Sequence, residues 1–246
     1  VNYWRWQYTP FPDRAVVSLA SEAIREFELG QRGTVDYLGV ALSQTDLVGH
    51  RFGPRSREQL DNFLRLDIEL GRFFTFLDDE VGSGRWVVAV SADHGVLDIP
   101  EILAEEGVDA RRLNRDERGE IQTRAREAIA AVDGVAAGRA RDRAAQERAR
   151  QEAVKAALVR LPYIAAAYTF DEVESEVLAD SFQVLFAHSH SRERLLTPVP
   201  WAGVHVRYAP NTLTSSRSAA SHSSPYYYDR HVPVIFLGAM IPSGES

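Results

Sequence analysis

Three short apolar runs, set apart by stretches of helical periodicity, constrain this chain more than any other feature. They are Val35-Asp36-Tyr37-Leu38-Gly39-Val40-Ala41-Leu42, Trp86-Val87-Val88-Ala89-Val90-Ser91 and Val232-Pro233-Val234-Ile235-Phe236-Leu237-Gly238. Hydrophobicity without in/out alternation is what a strand covered on both faces requires. Between the runs the period becomes helical. Residues 14–30 place Ala15, Leu19, Ala23 and Phe27 on one stripe, with Gly30 as a stop. Ser56 to Val81 places Leu60, Phe63, Leu64, Leu70, Phe74, Leu77 and Val81 on another, closed by Gly82-Ser83-Gly84. Strand, helix, strand of these lengths is a βαβ unit, whose crossover is right-handed. The predicted class is therefore α/β, with a mostly parallel central sheet flanked by helices.

Residues 115–158 are rich in Arg, Ala and Glu and contain no proline. They read as one or two long helices with solvated charges. The expected organisation is a single domain over 1–246, with an Arg/Ala-rich helical insertion at about 111–160. Residues 161–210 mix short strands and turns, and no internal repeat is present.

Composition narrows the chemistry. The formal charge of −7 argues against a general nucleic-acid polymer as partner but leaves phosphate-bearing small molecules open. There is no cysteine, so thiolate zinc sites, disulfides and cysteine nucleophiles are all excluded. A metal would have to sit on His, Asp or Glu. No run of about 18 apolar residues suggests a membrane span, and no secretory leader is visible. Met240 is the only methionine, so the sequence reads as a processed or partial product. Lys155 is the sole lysine, a bias attributable to coding rather than function.

In open α/β sheets, ligands gather beyond the carboxyl ends of strands. Ser43-Gln44-Thr45-Asp46-Leu47-Val48-Gly49-His50 follows the first run, with Gly49 read as permitting a tight turn between Asp46 and His50. A carboxylate and an imidazole at that spacing can reach one ion, and they also serve as turn and capping residues. Ser91-Ala92-Asp93-His94-Gly95 follows the second run. Asp93 and His94 at the mouth of a buried strand are costly unless paired, although Asp93 could instead hold a neighbouring histidine or cap a helix. Ser221-His222-Ser223-Ser224-Pro225-Tyr226, then Tyr227-Tyr228-Asp229-Arg230-His231, immediately precedes the third run.

Together these stretches resemble the type I phosphodiesterase/nucleotide pyrophosphatase and phosphate-monoesterase branch of the alkaline phosphatase superfamily. The resemblance lies in Thr45-Asp46-Leu47-Val48-Gly49-His50 with Phe52-Gly53-Pro54, in Ser91-Ala92-Asp93-His94-Gly95, in Ser221-His222 with Pro225-Tyr226 and Tyr228-Asp229, and in the intervening Asp61-Asn62-Phe63-Leu64-Arg65-Leu66-Asp67. It implies an alkaline-phosphatase-like fold, here incomplete, and a two-zinc site. Asp46, His50 and His222 would hold one ion, and Asp93 and His94 the other, with manganese or iron as alternatives on this donor set. It implies a phosphate-ester substrate, hydrolysis of monoesters or diesters, and a periplasmic or extracellular location. The rival class is a non-catalytic binding or scaffold protein on the same fold. A sulfatase or a phosphoglycerate-mutase-like relative is a further alternative within enzymes.

The family's Ser/Thr nucleophile, and an aspartate that completes the second ion's shell, have no counterpart in the 45 residues before Asp46. Asp13 reads as a helix N-cap and Thr9 precedes Pro10, so no nucleophile is assigned and this chain alone is expected to be nearly inactive. Ser223 stands where the family has glycine, acceptable if its backbone dihedral is ordinary. His188 and His190 read as a surface strand end, the alternative being a metal pair on one strand face. His205 reads as strand packing, His231 as a residue orienting a ligand, and Asp67 as bonding a buried backbone group. Arg192 and Arg194 are candidates to approach substrate oxygens.

Overall fold

A computed structural model describes residues 3–136, 142–191, 203–242 and 244. In chain order the elements begin with α1 (Tyr3–Trp6), α2 (Phe11–Glu26), α3 (Gln44–Phe52) and α4 (Arg57–Leu77). β1 (Val87–Ser91), α5 (Pro100–Glu105), β2 (Arg111–Arg112), α6 (Arg115–Ala136) and α7 (Arg143–Leu158) follow. The remainder are β3 (Ile164–Thr169), α8 (Phe170–Val173), α9 (Ser181–Ser189), β4 (Val204–Tyr208), β5 (Thr212–Leu213), α10 (Tyr227–Arg230) and β6 (Val234–Gly238). They fall into two compact units. One holds Val1–Ile99, Arg217–His222 and His231–Ser246, the other Pro100–Ser216 and Ser223–Arg230.

In the first unit, Ile24 of α2 meets Leu77 of α4 and Val81, and Phe74, Trp86 and Val88 pack around them. The expected helix at 14–30 forms, but it turns a different stripe inward. Val17, Ala20 and Ile24 are buried, while Leu19 and Phe27 are exposed. Asp13 fixes that rotation. It shares the inward stripe at positions i, i+4, i+7 and i+11, and its carboxylate accepts from the backbone amides of Ser43 at 3.0 Å and Gln44 at 3.3 Å. Asp13 therefore caps α3 and not its own helix, which corrects the N-cap expectation. Burial pushes its carboxyl up from the ordinary value, partly offset by those two amide bonds.

The Ser56-to-Val81 helix forms as expected. Ser56 Oγ accepts from the Gln59 amide at its start, and a π-turn over Asp78–Gly82 ends it. Asp67 is exposed on α4, so it bonds no buried backbone.

Strand directions differ from the expected mostly parallel sheet. β1 and β6 pair antiparallel, with Ser91 opposite Val234 and Val87 opposite Gly238. Gly238 has φ 114°, and a Cβ there would meet Trp86 O at 2.3 Å, so only glycine fits. Residues 35–42 form no strand and join no ladder among the described residues, and Val35, Tyr37, Leu38 and Val40 are exposed, so the buried strand expected there is not formed. An apolar run can specify extension, but a ladder needs a neighbour's amides and carbonyls.

The second unit has a conventional core. Leu113, Ile121, Ala125, Val154, Leu158, Tyr163 and Val204 are buried together, under α6, α7 and the antiparallel β3–β4 pair. β2 and β5 form the parallel pair among the described strands. The Arg/Ala-rich stretch gives two helices, α6 and α7, whose charges stay near the surface. Arg150, for example, pairs with Asp133 at 2.8 Å. Asp142 caps α7 by accepting from the Ala144 and Ala145 amides.

Candidate metal centre

α3 begins where the first apolar run ends, and the Asp13 carboxylate on its first amides starts the helix there. Asp46 and His50 are thus i and i+4 on one helical face, and not across the tight turn that Gly49 suggested. Gly49 is helical and buried. The permissive glycine is Gly53, which ends α3 at φ 97°. α4 holds α3 from behind. Gln59 Nε2 donates to Thr45 O at 3.0 Å, and Asn62 Nδ2 donates to Thr45 Oγ1 at 3.3 Å.

A second strap brings in His222. The Ala219 amide donates to His50 O at 2.7 Å, and the Leu97 amide donates to Ser221 O at 2.9 Å. The stretch 217–222 thereby lies between α3 and the chain that leaves β1 through Asp93 and His94. Ala220 is fully buried in it. The antiparallel register supplies the other half of this arrangement, since Ser91 and Val234 face each other at the same sheet end.

The resulting geometry is compact. His50 Nε2 lies 3.3 Å and His222 Nε2 3.5 Å from Asp46 Oδ1. The His94 and His222 rings stack with centroids 3.4 Å apart, and the His50 and His222 rings are 5.0 Å apart. Ligand atoms of Asp46, His94 and His222 all lie within 4.8 Å of one another. That group draws one residue from the pair His94 and Asp93 into the set with Asp46. Asp93 itself is 90% exposed, with Oδ1 3.6 Å from His94 Nε2. The His50, His94, His222 and Asp46 side chains of this cluster are 22–39% exposed, so the site is open to a ligand.

Two histidines are held in one tautomer. His50 Nδ1 lies 2.8 Å from Ala220 O, and His94 Nδ1 lies 2.9 Å from Gly95 O. A carbonyl can only accept, so each Nδ1 carries the hydrogen and each Nε2 keeps its lone pair toward the carboxylate side. Ligating histidines are held this way in metal sites. The donor set of imidazole nitrogens and carboxylates, without sulfur, suits zinc and also manganese or iron. The residues present therefore fit the implied group.

Of the sequence-predicted site residues, Asp46, His50, His94 and His222 converge, and Asp93 stands at their edge. His231 is exposed. Arg192 and Arg194 lie outside the described residues. His188 and His190 are not on a strand. α9 ends at Ser189, so His188 lies in its last turn and His190 is the extended residue just past it. His190 is buried, with Nδ1 2.9 Å from His205 Nε2 and Nε2 2.9 Å from Glu174. His205 is on β4 as expected, beside Phe170 and Phe186. Burial, with His190's charge second, lowers its pKa to about 4. Ser223 has φ 86°, so its backbone is not ordinary and the serine is strained where glycine would be relaxed. Sequence reasoning missed Asp13, Gln59, Asn62 and the Ala220 carbonyl. Polar Gln59 and Asn62 three residues apart at the start of an apolar helix were a visible signal. Asp13 gave none, because its partners are 30 residues away.

Residues 2–194 match the family described as type I phosphodiesterase / nucleotide pyrophosphatase. The chain belongs to that family. It is 28% identical over 250 residues to alkaline phosphatase PafA of Elizabethkingia meningoseptica, covering 97% of this chain and 44% of that protein. It is 30% identical over 257 residues to alkaline phosphatase PhoK of a Sphingomonas species, covering 96% and 45%. With alkaline phosphatase PhoV of Synechococcus elongatus it shares 40% identity over 112 residues, 46% of this chain and 20% of that one. The crystal structure of wild-type PafA superposes with a TM-score of 0.78 at 26% identity, covering 98% of this chain and 47% of that chain. The fold is thus of the α/β alkaline phosphatase type, and the chain spans less than half the length of these relatives. No helix among the described residues is long and apolar enough to cross a membrane.

Proposed function

We propose that this chain carries the metal-holding part of a phosphoric ester hydrolase. The observation that carries the reading is Asp46 Oδ1 within 3.5 Å of both His50 Nε2 and His222 Nε2, with His94 stacked on His222. Asp46, His50 and His222 hold one divalent ion, and His94 with Asp93 holds a second. Two zinc ions in such a site would polarise a phosphoryl oxygen and stabilise the charge that develops in displacement at phosphorus.

The chain's own residues do the positioning. The Ala220 and Gly95 carbonyls fix the tautomers of His50 and His94. Gln59, Asn62 and Asp13 hold α3 so that Asp46 and His50 share a face. The substrate is a small-molecule phosphate ester, monoester or diester, and not a nucleic-acid polymer. We assign no residue of this chain to attack phosphorus. The named relatives being alkaline phosphatases supports the reaction class, and export to the periplasm or cell exterior accompanies that reading.

The test is zinc titration against a chromophoric chelator, paired with hydrolysis of p-nitrophenyl phosphate. The expectation is zinc binding that His222→Ala weakens at least about 100-fold, with little or no turnover by this chain alone. Zinc binding unaffected by His222→Ala would overturn the metal assignment. Robust chelator-sensitive hydrolysis by this chain would overturn its assignment as the metal-holding part only.

A further inference from the structure

In the second unit, β4 has two different faces. Val204, Val206 and Tyr208 turn toward the core under α6 and α7, so His205 and Arg207 point the other way. Tyr168 of β3 pairs with His205 and shares that face. α9 lies over it. The Arg207 guanidinium sits 4.1 Å from the Phe182 ring, and Phe186 meets Tyr168 and His205 with ring centroids 5.4 and 5.3 Å away.

The two ends of α9 are held differently. At its start Asp180 accepts from the Gln183 amide at 2.8 Å and the Tyr168 hydroxyl at 3.0 Å, and Gln183 Oε1 accepts from the Ala179 amide at 2.8 Å. The Gln183 amide above all holds the Asp180 carboxyl below the ordinary range, so this end stays tied in mild acid. At the other end His190 is the C-cap, its side chain 6% exposed. Its Nε2 lies 2.9 Å from Glu174 and its Nδ1 2.9 Å from His205 Nε2.

Hydrogen placement decides what the His190 end tolerates. The Glu174 carboxylate can only accept, so His190 Nε2 carries a hydrogen. In the neutral pair His205 Nε2 donates to His190 Nδ1. One added proton leaves that bond in place. His190 becomes the imidazolium beside Glu174 and donates from Nδ1 to His205 Nε2, while the hydrogen of His205 stands on its Nδ1. A second proton puts hydrogens on both facing nitrogens, and the 2.9 Å contact turns repulsive. The other charged groups nearby are committed elsewhere. Arg207 stacks on Phe182, Asp180 serves Tyr168 and Gln183, and Glu172 of α8 is taken by Lys155. The Tyr168 hydroxyl, pushed up to about 12 mainly by burial, stays neutral, and His188 in the last turn of α9 is exposed.

We propose that the His190–His205 bond is a proton-operated latch: acid frees the last turn of α9 from β4, while the Asp180 end stays docked as the hinge. Phe186 then leaves Tyr168 and His205. Burial, with the charge of His190 second, lowers His205 to about 4 in the closed state, against 6.5 for a solvated ring. Opening therefore takes up a proton. It is favoured as pH falls from 6.5 toward 4, and above 6.5 it does not depend on this ring. The latch stands apart from the metal assignment.

The test is amide hydrogen exchange of the whole chain at about pH 7.5 and about pH 5, corrected for intrinsic rates and repeated in low urea. The expectation is that opening of the Ala187 and His188 amides rises at least about tenfold at the lower pH and is insensitive to urea, as a local event is. Gln183 and Val184, at the hinge, exchange only through the urea-sensitive opening of the unit. His205→Phe reduces the pH response of Ala187 and His188 to less than about twofold. Should that variant lose its fold, His205→Gln, which offers His190 an amide that does not titrate, gives the same flat response. No rise at the lower pH, a rise carried only by urea-sensitive opening, or a pH response that persists in the folded variant would each overturn the proposal.

Discussion

Among the described residues two histidine clusters contrast, one with the donor arrangement proposed to hold metal and one without it. In the first unit, His50 and His94 give their Nδ1 hydrogens to backbone carbonyls, while the Nε2 atoms of His50 and His222 face Asp46 and that of His94 lies 3.6 Å from Asp93. In the second unit, His190 and His205 bond each other at 2.9 Å, and Glu174 takes the remaining nitrogen of His190. The residue types are nearly the same. The difference is where the spare lone pairs go. One cluster leaves them pointed at a carboxylate with solvent access, and the other consumes them internally among Phe170 and Phe186. Histidine near carboxylate is thus not the signal for a ligand set. The feature that favours the proposed ligand set is a second nitrogen tied to a carbonyl, as at His50 and His94.

The sharpest way to break that contrast is substitution in each cluster. Asp46→Ala should lower zinc affinity at least about 100-fold, because it removes a ligand and not merely an orienting group. His190→Ala should leave zinc affinity within about twofold, as a chelator competition would read.

The next largest effect concerns cores. Leu158 is fully buried in the second unit, so Leu158→Ala should cost about 3 kcal/mol by the cavity it leaves. Leu64 in the first unit is exposed, and Leu64→Ala should change stability by less than about 0.5 kcal/mol. Zinc should add about 2.7 kcal/mol to the first unit at 100 times its Kd and nothing to the second. Unit-resolved hydrogen exchange in urea separates the two.

A smaller effect follows from His205. Its folded pKa of about 4 lies below the usual 6.5, so the folded state disfavours the charged ring. Above pH 6.5 the ring is neutral in both states and stability does not depend on it. As pH falls from 6.5 toward 4 the unfolded chain takes up the proton first, and stability is lost. With allowance for partial exposure the loss is about 1–2 kcal/mol. His205→Phe should flatten that part of the pH profile, measured by urea unfolding of β3 and β4. The smallest change is Ser223→Gly, which should stabilise by about 1 kcal/mol by relieving the positive φ.

The proximity of the candidate ligands was legible because each flanks an apolar run. Asp46 and His50 follow one, Asp93 and His94 follow another, and His222 precedes the third. The same pattern held the strand direction that the sequence reading missed. Candidate residues gathered at one sheet end require the third strand to start there, and β6 does so, antiparallel to β1. The inward face of α2 was not legible. Two stripes compete on that helix, and the long-range bonds from Asp13 to Ser43 and Gln44 choose between them. Residues 35–42 show the limit from the other side. Apolar content there suggested a buried strand that the structure does not form, because pairing depends on a neighbour that the run itself does not contain. His190 was misread because a short apolar stretch was given a strand's period, whereas Asp180 caps a helix there through the Gln183 amide.

The most direct test is to follow the imidazole nitrogens of 15N-labelled protein by NMR during zinc addition. The account predicts that the Nε2 resonances of His50, His94 and His222 shift by tens of ppm while their Nδ1 atoms stay protonated, and that His190 and His205 do not respond. Movement of the His190 and His205 resonances with the other three unchanged would contradict it.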